Sequence, residues 1–374
     1  GTADQRRALY LKLFSGEMFK GFQHNTIARD LVTRRTLTNG RSLQFIYTGR
    51  TKAEFHVPGQ SILGNDEKTP PVAEKTIECD DLLISSAFVY ELDETLAHYD
   101  LRGEISRKIG YALAENYDRR IFRAITKAAR QPSPVSMSNF VEPGGTVVKV
   151  GAAASTTAAD AYNAGHLVNA FYDAAAILDE KGVSGEGRVA VLNPRQYYAL
   201  IQDVTNNGLI NRDVQGTALQ SGNGIIEIAG ITIYKSMNIP FFGKFGTKTD
   251  MNPRASNDNE GSFVGEAMGD QDSKLTPSNS NTQKTINNYG TAAKFANSCG
   301  LIFQKEACGV VEAIGPQVQV TSGDISVVYQ GDVILGRLAM GANFLNPAAA
   351  VELVAGIDVS SNFNNTAVSN ASFT

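Results

Sequence analysis

The 374-residue chain has no tryptophan, no long apolar run and three cysteines, Cys79, Cys299 and Cys308. An odd number of cysteines without a CxxC pair argues against both a disulfide framework and a zinc knuckle. Free thiols fit a chain that folds in a reducing cytoplasm. No apolar stretch approaches the roughly 20 residues of a membrane-spanning helix, and the first ten residues lack the apolar core of a signal peptide. We therefore expect neither a membrane segment nor a secretion signal.

The chain also lacks a surplus of positive charge. Its net charge is -4 and its pI is about 5.7, which argues against a protein whose main task is to grip nucleic acid. The basic residues are unevenly distributed, because residues 1–52 hold ten Lys or Arg against three Asp or Glu. We interpret this segment as a solvated or partner-facing arm, with direct nucleic-acid binding as the alternative.

Known catalytic motifs are missing as well. The sequence has no GxSxG elbow, HExxH pair, Walker A loop or GxGxxG after a strand. Two Gly-rich stretches, SGEGRVAVLN and SGNGIIEIAG, precede strands, whereas a phosphate cradle needs a helix N-terminus after the glycines. We interpret both stretches as turns. We predict no catalytic, cofactor-binding or metal-binding residues and no cofactor.

A long amphipathic helix is the clearest feature that is present. Apolar residues recur every three or four positions from Leu101 to Ala128, which predicts one apolar stripe along about eight turns. The prolines of RQPSP end the helix by about residue 130. Two charged pairs at i,i+4 spacing are expected on its exposed side: Glu104–Lys108 and Glu115–Arg119.

An acidic cluster precedes this helix. Glu94 and His98 are one helical turn apart, a spacing at which two side chains could share a metal ion. The other three histidines of the chain fall in other predicted elements, so we interpret His98 as a helix-surface or interface residue. Asp93 and Asp100 are interpreted as helix caps.

Alternating patterns predict strands before the helix. In KAEFHV, residues 52–57, apolar and polar side chains alternate, and VAEKTIECD alternates again after a turn-rich segment. We expect a long two-stranded hairpin with a mobile tip. Because an isolated hairpin is marginal in water, it should lie on another surface. LLISSAFVYELD is more continuously apolar, so we expect a buried strand.

The rest of the chain predicts a second, mixed unit. GTVVKVG indicates a short strand, AGHLVNAFYDAAAILDEKGV a helix, and GRVAVLNPRQYYALI a strand followed by a helix that begins near Pro194. GIIEIAGITIYKSMNIP indicates a strand, a Gly turn and a strand. Residues 243–292 are polar and are interpreted as a long exposed insertion. The chain is strand-like again from Lys294, including ISVVYQGDVILGRLAMGANFL. The predicted fold class is α+β.

The order of these segments resembles that of the major capsid proteins of tailed bacteriophages, which share the Hong Kong 97 fold. The resemblance is strongest to those of the short-tailed, T-seven-like phages, and by overall likeness it extends to the phages of cyanobacteria. It is carried by FSGEMFKGF, LQFIYTGRTKAEFHVPGQ and LAHYDLRGEISRKIGYALA, followed by VAVLNPRQYYALI, IIEIAGITIYKSMNIP and ILGRLAMGANFLNPAAAVEL. It covers about residues 9–356. The polar insertion at 243–292 departs from the family pattern.

The resemblance implies a division of the chain into the parts of that fold. These are an N-arm, an extended loop that lies across the adjacent subunit, a peripheral domain with a spine helix at about 100–130, an axial domain that contains the insertion, and a flexible C-terminal tail. The implied boundaries are 1–50 for the N-arm, 51–81 for the loop, 82–150 and 310–345 for the peripheral domain, 151–309 and 346–359 for the axial domain, and 360–374 for the tail.

The resemblance also implies a function. The chain is expected to be a non-enzymatic virion protein that assembles, in the bacterial host cytoplasm, into hexamers and pentamers of an icosahedral shell around double-stranded DNA. Implied partners are a scaffolding protein, a portal at one vertex and weakly contacted DNA, with no membrane. Candidate inter-subunit contacts are charged residues of the loop and the helix: Arg50, Lys52, Glu54, Glu67, Lys68, Glu104 and Lys108.

Two other hypotheses remain open at this point. One is a cellular cargo shell of the same fold, similar to encapsulins. The other is a metal-dependent or carboxylate-based enzyme with its site on the long helix near His98. Assembly into particles separates the two shell hypotheses from the enzyme.

Overall fold

The computed structural model describes the chain in segments, and several predicted features lie outside them. Outside the described residues are the helix caps Asp93 and Asp100, the pair Glu94 and His98, and the C-terminal tail. The described residues are 18, 20, 26–51, 53, 55–61, 70, 72–80, 82–92, 101–132, 136–137, 140–152, 154–155, 158–202, 226–239, 287, 289, 298–321 and 324–356.

The long helix forms where the apolar stripe predicts it. Helix α1 spans Leu101–Ala129 and buries Leu113, Tyr117, Ile121 and Ile125 almost completely. It is more enclosed than the sequence indicates, because it packs on both sheets described below. The expected exposed pair of Glu115 and Arg119 is formed, but the Arg119 side chain is 4% exposed, so its position on the solvent side was predicted wrongly.

A four-stranded sheet packs against α1. Its strand order is β1-β12-β13-β4, with β1 parallel to β12 and the other pairs antiparallel. A Cβ built on Gly336 of β13 would lie 2.4 Å from Cγ2 of Ile109, so the missing side chain allows the helix to approach the sheet closely. The four strands are β1 (Thr33–Thr36), β4 (Leu83–Tyr90), β12 (Cys308–Val320) and β13 (Gly331–Phe344).

Strand β4 is less buried than its apolar sequence predicts. It is an edge strand, and its side chains alternate between the two faces of the sheet. Ile84 is 57% exposed and Phe88 is 50% exposed. The prediction of a buried strand was therefore wrong for one face, which presents apolar side chains outward.

A second sheet of six strands forms the other half of the core. Its order is β7-β14-β11-β8-β10-β9. Helix α2 (Ala164–Glu180) and helix α3 (Pro194–Gln202) pack on it through one shared apolar cluster, and α3 begins at the predicted proline. The strands are β7 (Thr146–Lys149), β8 (Val189–Leu192), β9 (Ile226–Ile228), β10 (Ile231–Lys235), β11 (Ser298–Phe303) and β14 (Ala350–Val354).

The predicted hairpin forms further upstream than expected. Strands β2 (Ser42–Thr48) and β3 (Val72–Glu78) pair antiparallel, and Phe45 and Ile77 bury their side chains against the four-stranded sheet of the same chain. The described residues of the KAEFHV segment form no strand, and Phe55 there is fully exposed. Alternation alone did not make a strand of Ala53 and residues 55–57, which pair with no strand in the part of the chain that the structure describes.

Three shorter elements complete the description. β5 (Ser136–Met137) pairs with β6 (Phe140–Val141) in a small two-stranded sheet. Residues Asp324–Tyr329 form a helical turn, α4, where ISVVY was predicted to continue a strand. Gln330 then has a φ of 50°, which ends the turn and lets β13 begin. No helix among the described residues is long and apolar enough to cross a membrane.

An ion pair at the end of α1 joins the helix to the six-stranded sheet. The Arg130 guanidinium donates from Nε and Nη2 to the two carboxylate oxygens of Glu352, both at 2.6 Å. The two side chains are 1% and 0% exposed. Glu352 lies in β14, so this bidentate contact fixes the orientation of the helix end on the second sheet.

This pair yields a stability prediction. Arg130→Met leaves the Glu352 carboxylate buried without its cation and should lower the free energy of unfolding by about 3–5 kcal/mol, whereas Arg130→Met combined with Glu352→Leu should recover most of that loss. Urea unfolding of the soluble subunit measures both. Arg107→Ala, which removes an exposed partner of Glu104, is the control and should cost about 1 kcal/mol or less. Equal losses in the single and double variants would contradict this account.

Candidate functional site

The segment before β1 is held to the core by a buried carboxylate. Glu312 on β12 accepts the Tyr117 hydroxyl at 2.5 Å on Oε1 and the Arg29 guanidinium at 3.2 and 3.1 Å on its two oxygens. Arg34 Nη1 lies 3.8 Å from the same carboxylate. Burial, together with the charge of Glu312, raises the pKa of Tyr117 far above its usual range. One carboxylate therefore ties the N-terminal segment, the helix and the sheet together.

A second carboxylate holds the backbone of the same segment. Asp118 on α1 accepts the backbone N–H of Ile27 at 3.0 Å and that of Ala28 at 3.3 Å, at the start of a single helical turn, Ala28–Asp30. A remote side chain thus satisfies N–H groups that the turn leaves without partners. Burial raises the pKa of Asp118 to about 7, even though these hydrogen bonds act in the opposite direction.

A third cluster joins the end of the hairpin to the end of the predicted insertion. The Tyr289 hydroxyl donates to Asp80 at 2.5 Å and accepts the Ala342 N–H at 3.0 Å. Asn287 donates its backbone N–H to Asp80 and its amide to Glu78 O. The insertion at 243–292 was predicted to be exposed, but these two of its residues are buried, so the prediction was wrong at that end. The rest of the insertion lies outside the described residues.

The end of the predicted N-arm, directly before the predicted extended loop, is also held within the chain. The backbone N–H of Arg50 donates to the Glu142 carboxylate at 2.5 Å, and the Tyr47 hydroxyl donates to the same carboxylate at 3.3 Å. The Arg50 guanidinium also contacts the Lys181 carbonyl oxygen after α2. Burial and the adjacent Glu142 raise the pKa of Tyr47 to about 12. This corner brings the hairpin, the loop before β7 and the α2 turn into contact.

The structure places only part of the predicted contact set. Arg50 is exposed on one side and contacts Glu142 on the other. Glu104 lies on the exposed part of α1. Its Oε2 is 3.0 Å from Arg107 Nη1, and its Oε1 is 3.8 Å from Lys108 Nζ. The four remaining candidates lie outside the described residues: Lys52, Glu54, Glu67 and Lys68. The role of all seven between subunits stays a prediction.

The metal-dependent hypothesis concerns clusters of metal-ligating side chains, and its residues Glu94 and His98 lie outside the described residues. The described residues contain no group of three or more His, Cys, Asp or Glu side chains able to hold a metal ion. Cys79, Cys299 and Cys308 are free and buried. Burial raises the pKa of all three thiols, which disfavours the reactive thiolate.

Sequence reasoning missed the carboxylates that organise the fold. Asp118 follows Tyr117 directly on the buried stripe of α1, so a charged residue at that position was a usable signal. Its partners at Ile27 and Ala28 are about 90 residues away, and no local pattern could identify them. Asp80 and Glu312 sit in strands or strand ends where a single carboxylate looks like an ordinary surface residue.

The chain is similar to phage capsid proteins and matches a family model of major capsid proteins. The family model described as Gp10A-like major capsid protein matches residues 44–269. The major capsid protein of Enterobacteria phage T3 is 24% identical over 358 residues, which cover 94% of this chain and 93% of that protein. The major capsid protein of Escherichia phage T7 is 26% identical over 240 residues, covering 62% and 68%. The capsid structure of the Cyanophage P-SCSP1u is 29% identical, with a TM-score of 0.64 over 88% of each chain.

The raised pKa of Asp118 predicts a pH effect on stability. Its folded pKa of about 7 exceeds the ordinary aspartate pKa of 3.8, so its contribution to stability is complete below about pH 4 and is lost as pH rises through 7. Asp118→Asn cannot titrate. Between pH 5 and pH 8, the free energy of unfolding of the Asp118→Asn variant should therefore rise relative to that of the wild type by on the order of 2 kcal/mol.

Chemical denaturation at both pH values measures this difference. Asp118→Ala is the matched control, because it removes the same titration but also the acceptor of two N–H groups. It should show the same pH trend from a lower starting stability. A difference between Asp118→Asn and wild type that does not change with pH would refute the assignment.

Proposed function

The chain belongs to the Gp10A-like family of major capsid proteins, and we propose that it assembles into hexamers and pentamers that close an icosahedral head around double-stranded DNA. It is a major capsid protein of a phage head shell, with the α+β, Hong Kong 97-like fold that the resemblance predicted, and it is not an enzyme. The observation that carries the proposal is the family match, together with a fold shared with a cyanophage capsid over 88% of both chains.

Exposed apolar side chains support burial against other copies. Ile84 and Phe88 face outward from β4, and Val327, Val328 and Tyr329 of α4 are 69%, 71% and 66% exposed. The end of α4 lies near the end of β4, since Gly331, two residues after Tyr329, pairs with Tyr90. Exposed apolar side chains on both elements favour a role in assembly, where another copy covers them.

The proposed parts of the subunit follow from the sheets. The four-stranded sheet and α1 correspond to the peripheral domain, and the six-stranded sheet with α2 and α3 to the axial domain. The pairing of β7 with β14 supports a boundary between the peripheral and axial domains that lies before β7, within the segment 82–150 assigned above to the peripheral domain. Residues 51–81, which include β3, are the proposed extended loop, and residues 1–50, which include β1 and β2, are the proposed N-arm.

The proposed partners follow from the same role. A mildly acidic subunit can enclose DNA while contacting it weakly, because extensive phosphate contacts need a surplus of Lys and Arg. A scaffolding protein during assembly and a portal at one vertex complete the proposal. Three buried free thiols suit assembly in the reducing cytoplasm of the bacterial host.

Electron microscopy of the recombinant chain tests this function. The purified chain, alone or coexpressed with a scaffolding protein from the same genome, should form closed particles with hexamers and pentamers. A subunit that stays a small soluble oligomer under both conditions would contradict the proposal. Particles that package cellular protein instead of phage DNA would favour the encapsulin-like alternative.

The predicted loop contacts give a second test. Charge reversal at Lys52 or Glu54 should lower particle yield more than it lowers the amount of folded subunit. The reason is that these charges are proposed to contact a neighbouring copy and not the core of the same subunit. Sedimentation measures particle yield, and circular dichroism with thermal unfolding measures folding. Equal losses of fold and of assembly would count against loop contacts between subunits.

A further inference from the structure

A cleft of about 690 Å³ lies where the hairpin meets both sheets. Strand β1, strands β2 and β3, the turn after α2 and the segment after β13 all contribute to its walls. Its apolar lining includes Phe45, Val183, Leu345 and Ala348. The cleft therefore has the size of a binding site and is formed by several separate parts of the fold, which include the segment before β7.

The charges around this cleft are out of balance. Arg35, Arg50, Lys75 and Lys181 line it, against Glu142 and Glu306. Glu142 is already engaged by Arg50 and Tyr47. Within the described part of the chain, no carboxylate lies within salt-bridge distance of the other three cations. The cleft thus presents more positive than negative charge to whatever enters it.

All three of these cations contact neutral groups instead. The Lys181 ammonium donates to the Gly144 carbonyl oxygen at 2.7 Å and to the Thr146 hydroxyl. The Lys75 ammonium lies 3.9 Å from the centre of the Phe344 ring, and the Arg35 guanidinium lies 4.8 Å from that of Phe45. Burial lowers the pKa of Lys75, and it lowers that of Lys181 to about 8. Desolvated ammonium groups gain most from a carboxylate placed beside them, because the interaction is screened less than at the open surface.

The lining also indicates which kind of anion fits. A nucleic-acid backbone could use the cations but would leave the apolar floor of Phe45, Val183 and Leu345 without a partner. A peptide segment can supply carboxylates and apolar side chains together. An acidic peptide therefore matches the cleft better than a phosphodiester does.

The chain itself carries suitable peptide segments. Residues 1–52 hold ten of its 34 Lys and Arg and three of its 38 Asp and Glu, so the remainder holds 24 basic and 35 acidic residues. The basic N-terminal part of one copy, which supplies Arg35 and Arg50 to the cleft, is thus complementary in charge to the remainder of another copy.

We propose that this cleft is a docking site for a carboxylate-bearing segment of a second copy of the chain, with Arg35, Lys75 and Lys181 as the recognising cations. The proposal deepens the proposed function, since it assigns a receiving surface to contacts between subunits. Among the candidate contact residues, Glu67, next to Asp66 in the loop between β2 and β3, has the required chemistry.

Zero-length carbodiimide coupling tests the contact directly. Particles assembled from an equal mixture of isotopically light and heavy chain are treated with the carbodiimide, and the cross-linked peptides are identified by mass spectrometry. Amide bonds from Lys75 or Lys181 to an Asp or Glu should include light–heavy pairs. Only light–light and heavy–heavy pairs, or no cross-links from these lysines, would overturn the proposal.

Charge reversal supplies the functional test. Lys75→Glu should lower particle yield about tenfold or more while the subunit stays folded, since it places like charges together at the contact, and Lys75→Arg should retain assembly. Lys235→Glu is the matched control, because Lys235 is also a half-buried strand lysine beside an aromatic ring but lies outside the cleft. Equal losses in the Lys75→Glu and Lys235→Glu variants would contradict the proposal.

Two further outcomes separate this proposal from its alternatives. If Lys75→Glu assembles normally but loses binding to double-stranded DNA, the cleft takes phosphate and the proposal fails. If wild-type chain forms no particles, the proposed function fails. The cross-links are then scored on the soluble mixture, where light–heavy pairs from Lys75 or Lys181 still support the docking site and their absence contradicts it.

Discussion

The cost of burying charge on α1 is the constraint on which this fold depends. Asp118, Arg119, Arg120, Arg123 and Arg130 lie on or directly after the helix and are nearly inaccessible to solvent. Burying an unpaired charge would cost several kcal/mol, so the fold is stable only when distant segments supply partners. Glu352 meets Arg130 from the six-stranded sheet, and Asp80 meets Arg120 from the end of the hairpin.

These contacts make the helix the common anchor of the subunit. The N-terminal segment is fixed by Asp118 and Glu312, and Tyr289 fixes the chain that returns from the insertion. Beyond this anchored body, the loop between β2 and β3 starts from a held corner at Arg50. A rigid body with extensions that start from fixed points suits a shell subunit, because neighbouring copies must meet in repeated positions.

The sequence predicted the helices and strands better than it predicted their burial and their contacts. Helical periodicity located α1, and Pro194 located the start of α3, because both signals are local. Alternation failed for the described residues within 52–57, which pair with no described strand, and the apolar run of β4 failed to indicate its exposed face. The buried carboxylates could not be predicted, since their partners lie as much as 283 residues away. The fold class was predicted from the order of the segments along the chain. A resemblance to a known family uses that order more directly than a physical argument does.

Native-state hydrogen exchange on the soluble subunit tests most directly whether α1 anchors the N-terminal segment. The amides of Ile27 and Ala28, which donate to Asp118, should exchange with protection approaching that of the middle of α1, because both belong to one cooperative unit. Exchange of Ile27 and Ala28 at the rate of an unstructured peptide, while α1 remains protected, would contradict this account.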